Sequence, residues 1–225
     1  ISHITDLLFH LPLRYEDRTR LHPIGACTPG QRLLIEGRIE HSAIVRGRRS
    51  MLVVVLSDGT GRITLRFFHF RFHQRQQLSS GTRLRCFGEV RAGFQGLEMI
   101  HPTYKRLQAN VDEPVADRLT PVYPTAEGLG QKNWINMTDQ ALVLMRRGEL
   151  ELEELLPKTL LDQLRLLPLA EALDYIHRPP PDADVAALVS RDHPTQKRLA
   201  LEELLAHNLS MQKLRRLQRA RKAPV

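Results

Sequence analysis

Apolar positions alternate in short runs through the first half of the chain and recur at helical spacing through the second. Ile4, Leu7, Leu8 and Leu11 share one helical face, and Pro12 ends the run, which predicts a short packed helix. Residues 13–18 read as a charged extended connector. After the Pro29-Gly30 turn come five strand-like runs at close spacing. They are Leu33 to Val45, Met51 to Leu56, Ile63 to Phe70, Arg83 to Val90 and Leu97 to Leu107. The second is continuous and β-branched at Val53, Val54 and Val55, as expected of a strand buried on both faces. Residues 57–61, Ser-Asp-Gly-Thr-Gly, make a tight hairpin after it. Between the third and fourth runs Phe72, Gln76 and Leu78 suit a short helix that Gly81 stops. Three strands, a short helix and two strands is the order of an OB-fold, a five-stranded Greek-key barrel that often binds oligonucleotides or oligosaccharides. An SH3-like or other small barrel stays open at this point.

The second half is helical. A proline-bearing connector from Ala109 leads to an amphipathic helix, Gln131 to Arg147, that ends at Gly148. Shorter helices are expected over Glu149 to Leu156, Leu160 to Leu167 and Leu169 to His177, punctuated by Pro157 and Pro168. Pro179-Pro180-Pro181 is a stiff spacer. A last long helix opens near Asp192 and Pro194 and becomes basic at its end. The expected architecture is therefore α+β: a five-stranded OB-fold β-barrel followed by a mostly helical region with a long C-terminal helix. The expected boundaries are 1–28 for the helical start and connector, 29–107 for the barrel and 108–130 for the extended connector. A helical segment over 131–191 and the long basic helix over 192–225 complete the layout.

One stretch breaks the strand pattern. In Arg62 to Phe72, Ile63, Leu65 and Phe67 fall on one face, and Arg62, Thr64 and Arg66 on the other. Phe68 then shares the polar face with two arginines, and Phe70 and Phe72 follow it. An aromatic ring displayed among arginines is the sequence form of a base-stacking platform. Phe67 is expected in the core, and Phe68 and Phe72 as a pair of displayed rings. Phe70 can either pack under the short helix or join them.

Charge strengthens this reading. The formal net charge is +8, yet residues 1–106 hold 17 Lys/Arg against 8 Asp/Glu, while the remaining 119 hold 16 against 17. From Asp58 to Glu89 six arginines and five of the seven phenylalanines occur with no acidic residue between. Such a field favours a polyanionic partner. Arg46, Arg48 and Arg49, on the loop between the first two strands, and Arg62, Arg66, Arg71, Arg75 and Arg91 are the candidate phosphate contacts. No run approaches the ~18 apolar residues of a membrane span and no signal peptide is visible, so a cytoplasmic location is expected, which the family resemblance given below narrows to the nucleoid. Cys27 and Cys86 form no CxxC pair, and His69 and His73 lack a third ligand, so neither a zinc site nor another metal is expected. There is no GxxxxGK[ST] loop, HExxH or GxSxG, so the chain is expected to carry no catalysis and no cofactor. Beginning at Ile1, it reads as a piece of something longer and as a monomer.

The runs LLFHLPLRYEDRT, SDGTGRITLRFF, GLEMIHP, LTPVYPT, HRPPP and EELLAHNLSM occur in that order from residue 7 to residue 211. With them the chain resembles the amino-terminal region of the bacterial RecG family of branched-DNA helicases. The resemblance implies a wedge domain that inserts at a DNA fork or Holliday junction and stacks aromatics on the bases at the branch point. It implies a separate motor using ATP and Mg, and roles in fork regression, branch migration, repair and recombination. Phe68 and Phe72 match the family's stacking pair, an aromatic followed four residues later by another, with Phe70 as a departure between them. Two other classes stay open: a protein-docking barrel for a single-strand-binding protein, and a general single-stranded nucleic-acid binder.

Overall fold

A computed structural model of the chain describes residues 3–46, 50–108, 111–125 and 128–220. In chain order the elements are α1 (Ile4–Phe9), β1 (Arg14–Glu16), β2 (Arg32–Val45), β3 (Met51–Ser57), β4 (Arg62–Phe67), α2 (Phe72–Gln77), β5 (Arg83–Gly93), β6 (Gly96–Ile100), β7 (Thr103–Arg106) and β8 (Thr120–Val122). They are followed by α3 (Gln131–Arg146), α4 (Lys158–Leu164), α5 (Leu169–His177), α6 (Val185–Ser190) and α7 (Pro194–Ala220). Two compact units result. One is residues 16–120, and the other joins residues 1–15 to residues 121–225.

The first unit is the barrel. β2, β3 and β4 form an antiparallel meander, β6 pairs parallel to β4, β5 pairs antiparallel to β6, and β5 returns to β2 to close the ring. That strand order, with α2 between the third and fourth barrel strands, is the OB-fold. β2 runs through 14 residues because it serves both β5 and β3, and an irregularity between Ile39 and His41 bends it between the two. Strand alternation fills the interior with Ile35, Ile39, Leu52, Val54, Leu56, Ile63, Leu65, Phe67, Leu84, Cys86, Val90 and Met99. β3 is buried on one face, through Leu52, Val54 and Leu56, while Val53 and Val55 are half-buried. The expectation of burial on both faces fails because β-branched residues also suit the outside of a curved sheet. The expected fifth strand is two: β6 and β7 are separated at His101 and Pro102, and β7 pairs with β5 beyond the closure. At the tip of the β3–β4 hairpin the Asp58 carboxylate accepts from Ile24, Thr60 and Gly61 N–H. Burial opposes its charge, but these hydrogen bonds hold it below its ordinary pKa.

The second unit is helical. Leu8 of α1, Ala141 and Leu142 of α3, Leu169, Leu173 and Ile176 of α5 and Leu199 of α7 form its core. Residues 149–156, expected to be helical, are not. Glu154 there accepts from the N–H groups of Leu156 and Leu169 and pairs at 2.7 Å with Arg198, which is fully buried. Arg198 also meets Glu202 at 2.6 Å and the Leu167 carbonyl, so the segment is fixed by tertiary hydrogen bonds that a helix would have blocked. α6, unforeseen, is capped by Asp184 accepting from Ala187 N–H. No helix among the described residues is long and apolar enough to cross a membrane.

His177 is buried in this unit, with Nε2 2.7 Å from the Leu8 carbonyl and Nδ1 2.9 Å from the Tyr123 hydroxyl. A carbonyl can only accept, so Nε2 carries the proton and Nδ1 accepts from Tyr123. Burial pushes the His177 pKa down from 6.5 to about 4. Its neutral form therefore contributes stability in full above about pH 6.5, lost as the pH falls to about 4. The loss should be on the order of 3 kcal/mol. Urea denaturation across that window should show it, and His177→Gln should flatten the profile; an unchanged profile in the variant would contradict the assignment.

Candidate nucleic-acid interface

Within β4 parity decides which rings are available. Ile63, Leu65 and Phe67 point inward and are at most 2% exposed. β4 ends at Phe67, and Phe68, the next residue, is turned outward and is 40% exposed. His69 is exposed, while Phe70 is half-buried and packs against the barrel core. Arg71 is exposed, and Phe72, the first residue of α2, is 73% exposed. Phe68, His69, Phe70 and Arg71 line a hollow of about 430 Å³ together with Ser50, from the loop between β2 and β3. Arg46, exposed at the other end of that loop, leaves it on the same side of the barrel. Arg48 and Arg49 lie outside the described residues.

The arginines divide into two groups. Arg62 pairs with Glu40 at 2.7 Å, Arg66 with Glu98 at 2.6 Å and Arg91 with Glu89 at 2.9 Å. Arg83 and Arg85 share Glu36 and donate to the carbonyls of Val111, Glu113 and Pro114, which lays that segment along the barrel. Arg18 and Arg32 pair with Glu16 and stand 4.4 and 5.6 Å from the Phe87 ring centre, which explains why Phe87 is buried on the outer parity of its strand. The absence of acidic residues between Asp58 and Glu89 is thus local to the sequence: the fold supplies carboxylates from β2 and β6 and from residues 111–114. Arg46, Arg71 and Arg75 are exposed and have no ion pair among the described residues. Arg62 sits at the far end of β4, five residues and about 17 Å from Phe67. The geometry therefore gathers Phe68, Phe70 and Arg71 around one hollow with Arg46 on the adjoining loop, continues into α2 with Phe72 and Arg75 exposed, keeps Arg66 in an ion pair, and leaves Arg62 at the other end of β4. Arg91 lies level with Thr64, since both face Glu98.

Sequence reasoning missed two residues. Phe94 is fully exposed at the tip of the β5–β6 hairpin, where the flanking Gly93 and Gly96 signalled a tight turn. His101 sits among the displayed rings, 5.6 Å from Phe68, 6.0 Å edge-on to Phe67 and 6.2 Å stacked on His69, centre to centre. Its φ is +47°, an uncommon conformation for a residue other than glycine. Its one sequence signal is the proline that follows it, which disfavours a helical conformation before it. Among the described residues no three His, Cys, Asp or Glu side chains converge as metal ligands would.

The strand order and the closed ring define the barrel as an OB-fold, with one end that is aromatic and basic. A family model for the RecG wedge domain matches residues 1–145. The ATP-dependent DNA helicase RecG of Escherichia coli K12 is 47% identical over 213 residues, 94% of this chain and 30% of the relative. The protein of the same name from Haemophilus influenzae is 45% identical over 215 residues, covering 96% and 30%. A solved structure described as RecG bound to a three-way DNA junction superposes with a TM-score of 0.64 at 24% identity, over 98% of this chain and 29% of that one. The chain belongs to the RecG wedge-domain family, and it spans about 30% of the length of these relatives.

The buried ring of Phe67 and the exposed ring of Phe72 should respond differently to truncation. Phe67→Ala should cost about 3–5 kcal/mol of stability by opening a core cavity. Phe72→Ala should stay within about 0.5 kcal/mol, as for an exposed site without structural partners. Denaturant titration of both variants measures the contrast, and comparable losses would mean that Phe72 is packed.

Proposed function

We propose that this chain is the wedge of an ATP-dependent branched-DNA helicase and binds replication forks and Holliday junctions without sequence specificity. The observation that carries the reading is the pairing of displayed rings, Phe68 and Phe72, with the uncompensated arginines Arg71 and Arg75 at one end of an OB barrel. At a branch point Phe68 and Phe72 cap the bases left without a neighbour, and Phe70 supports them from its half-buried position. Arg46, Arg71 and Arg75 hold phosphates, with Arg48 and Arg49 on the same loop. Arg62, Arg66 and Arg91 reach phosphate by exchanging a carboxylate for it, so their contributions are smaller. The wedge performs no bond chemistry. In the whole protein a motor hydrolysing ATP with Mg pulls the duplex against it, which serves fork regression and branch migration in repair and recombination. The setting is the bacterial cytoplasm, on the nucleoid, with the protein acting as a monomer.

Fluorescence anisotropy with a fork, a junction, a single strand and a blunt duplex tests this. The wild-type chain should prefer fork and junction. Phe68→Ala should reduce that preference by the ~1–3 kcal/mol of one base stack, with the fold intact. Equal affinity for fork and duplex, unaffected by the substitution, would sink the wedge. Binding to a single-strand-binding protein that survives loss of the loop arginines would favour a docking role instead.

The two classes of arginine separate in salt. Arg71→Gln should lower the slope of log affinity against log salt by about 0.9 for each duplex phosphate it neutralises. Arg85→Gln should leave that slope unchanged and lower stability, because Arg85 is committed to Glu36 and to two carbonyls.

A further inference from the structure

The parallel ladder between β4 and β6 has its last paired residues at Arg66 and Ile100. In such a ladder one residue donates its N–H to a carbonyl on the neighbouring strand and accepts, through its own carbonyl, the N–H two residues further on. His101 follows the first half of the rule: its N–H donates to the Arg66 carbonyl at 2.9 Å. The second half is fulfilled differently. Phe68 N–H donates to Nε2 of the His101 ring at 3.3 Å. The chain turns at His101, with φ +47° and Pro102 next, and the imidazole stands in for a ladder carbonyl. The ring then lies between Phe67 and Phe68, edge-on to the first at 6.0 Å and tilted 57° to the second at 5.6 Å. Accepting from an amide requires the Nδ1–H tautomer, with a free lone pair on Nε2.

We propose that His101 is a positioning residue for the wedge: it extends the ladder by one hydrogen bond past the strand end and so fixes the backbone from which Phe68 is displayed. This rests on the reading of Phe68 as a base-stacking ring. An aromatic on a loose loop loses conformational freedom when it stacks, whereas one held in place does not, so His101 converts an exposed ring into a prepared surface. The preference for branched over blunt DNA depends on that preparation, while phosphate binding by Arg71 and Arg75 does not.

Two substitutions separate the acceptor from packing. His101→Gln keeps an acceptor, because the Gln amide oxygen falls close to the position of Nε2. His101→Gly removes acceptor and ring while relieving the left-handed backbone, so it favours a folded protein. With the full 225-residue chain, a synthetic fork and a blunt duplex of equal length, His101→Gly should lower the fork-to-duplex affinity ratio by about five-fold, the low end of losing one base stack. Duplex affinity should stay within two-fold by the same comparison, roughly the scatter expected for an unaltered phosphate contact. His101→Gln should restore most of the ratio. Hydrogen exchange of the Phe68 amide, followed by NMR, should speed up in the Gly variant and remain protected in the Gln variant. In a Phe68→Ala background His101→Gly should have no further effect on the ratio. If Phe68→Ala lowers the ratio and His101→Gly does not, the positioning role is wrong and the wedge stands. If Phe68→Ala leaves the ratio unchanged, the wedge reading falls and the role of His101 with it.

Discussion

The parallel pairing of β4 with β6 is the contact on which the barrel and its displayed end both depend. Without it β2, β3 and β4 are an open meander with an unpaired edge, and β5 closes on β2 alone. With it the ring is complete, and β4 is held in a register that sends Ile63, Leu65 and Phe67 inward. Because successive residues of a strand face opposite ways, burying Phe67 obliges Phe68 to face out. The exposure of Phe68 is thus enforced by the core: hiding it would require a one-residue slip that turns Ile63, Leu65 and Phe67 to solvent. Each fully buried ring or aliphatic side chain contributes about 1.5–3 kcal/mol, so three of them outweigh one displayed phenylalanine.

The arginines obey a related constraint. Three strand arginines stand beside a neighbouring strand that carries a carboxylate: Arg66 finds Glu98, and Arg83 and Arg85 find Glu36. Arg46 and Arg71 on loops and Arg75 on the short α2 have no such neighbour among the described residues. They accordingly stay uncompensated, and Arg71 lines the same hollow as Phe68. A basic excess in the first 106 residues is thus partly neutralised on folding, at Arg62, Arg66, Arg83, Arg85 and Arg91, and left uncompensated at Arg46, Arg71 and Arg75.

This division explains what was legible in advance. The five barrel strands, the short helix after Phe70 and the outward parity of Phe68 follow from periods of two and from punctuating glycines, which are local signals. The counter-charges were not legible, because Glu36, Glu40 and Glu98 are 22 to 49 residues from the arginines they meet. Neither was the role of His101, since its partner Phe68 is 33 residues earlier. Residues 149–156 misled for a similar reason: their composition suits a helix, but Glu154 is drawn to Arg198, 44 residues away. Phe70 could not be assigned from the pattern because Phe68, still tied to His101 one residue past the strand end, is the last to follow the alternation; the structure gives Phe70 a half-buried place against the core.

Magnitudes also show what a wedge of this kind can do. Two stacked rings contribute about 2–6 kcal/mol if each is worth about 1–3. Opening a DNA step costs about 1.4 kcal/mol on average. On the proposed reading Phe68 and Phe72 are therefore strong enough to keep one to a few terminal pairs apart. They cannot drive separation along a duplex, because each newly opened pair must be capped by the same two rings and the stacking energy is gained only once. On the proposed reading the wedge is a stationary device: it lowers the cost of the first opened pairs and leaves every later step to an energy source outside these 225 residues. A stationary device is most effective when it is rigid, and the features at this end of the barrel agree with that demand. Phe67 is locked in the core, Phe70 packs beneath, and the Phe68 backbone is tied to His101.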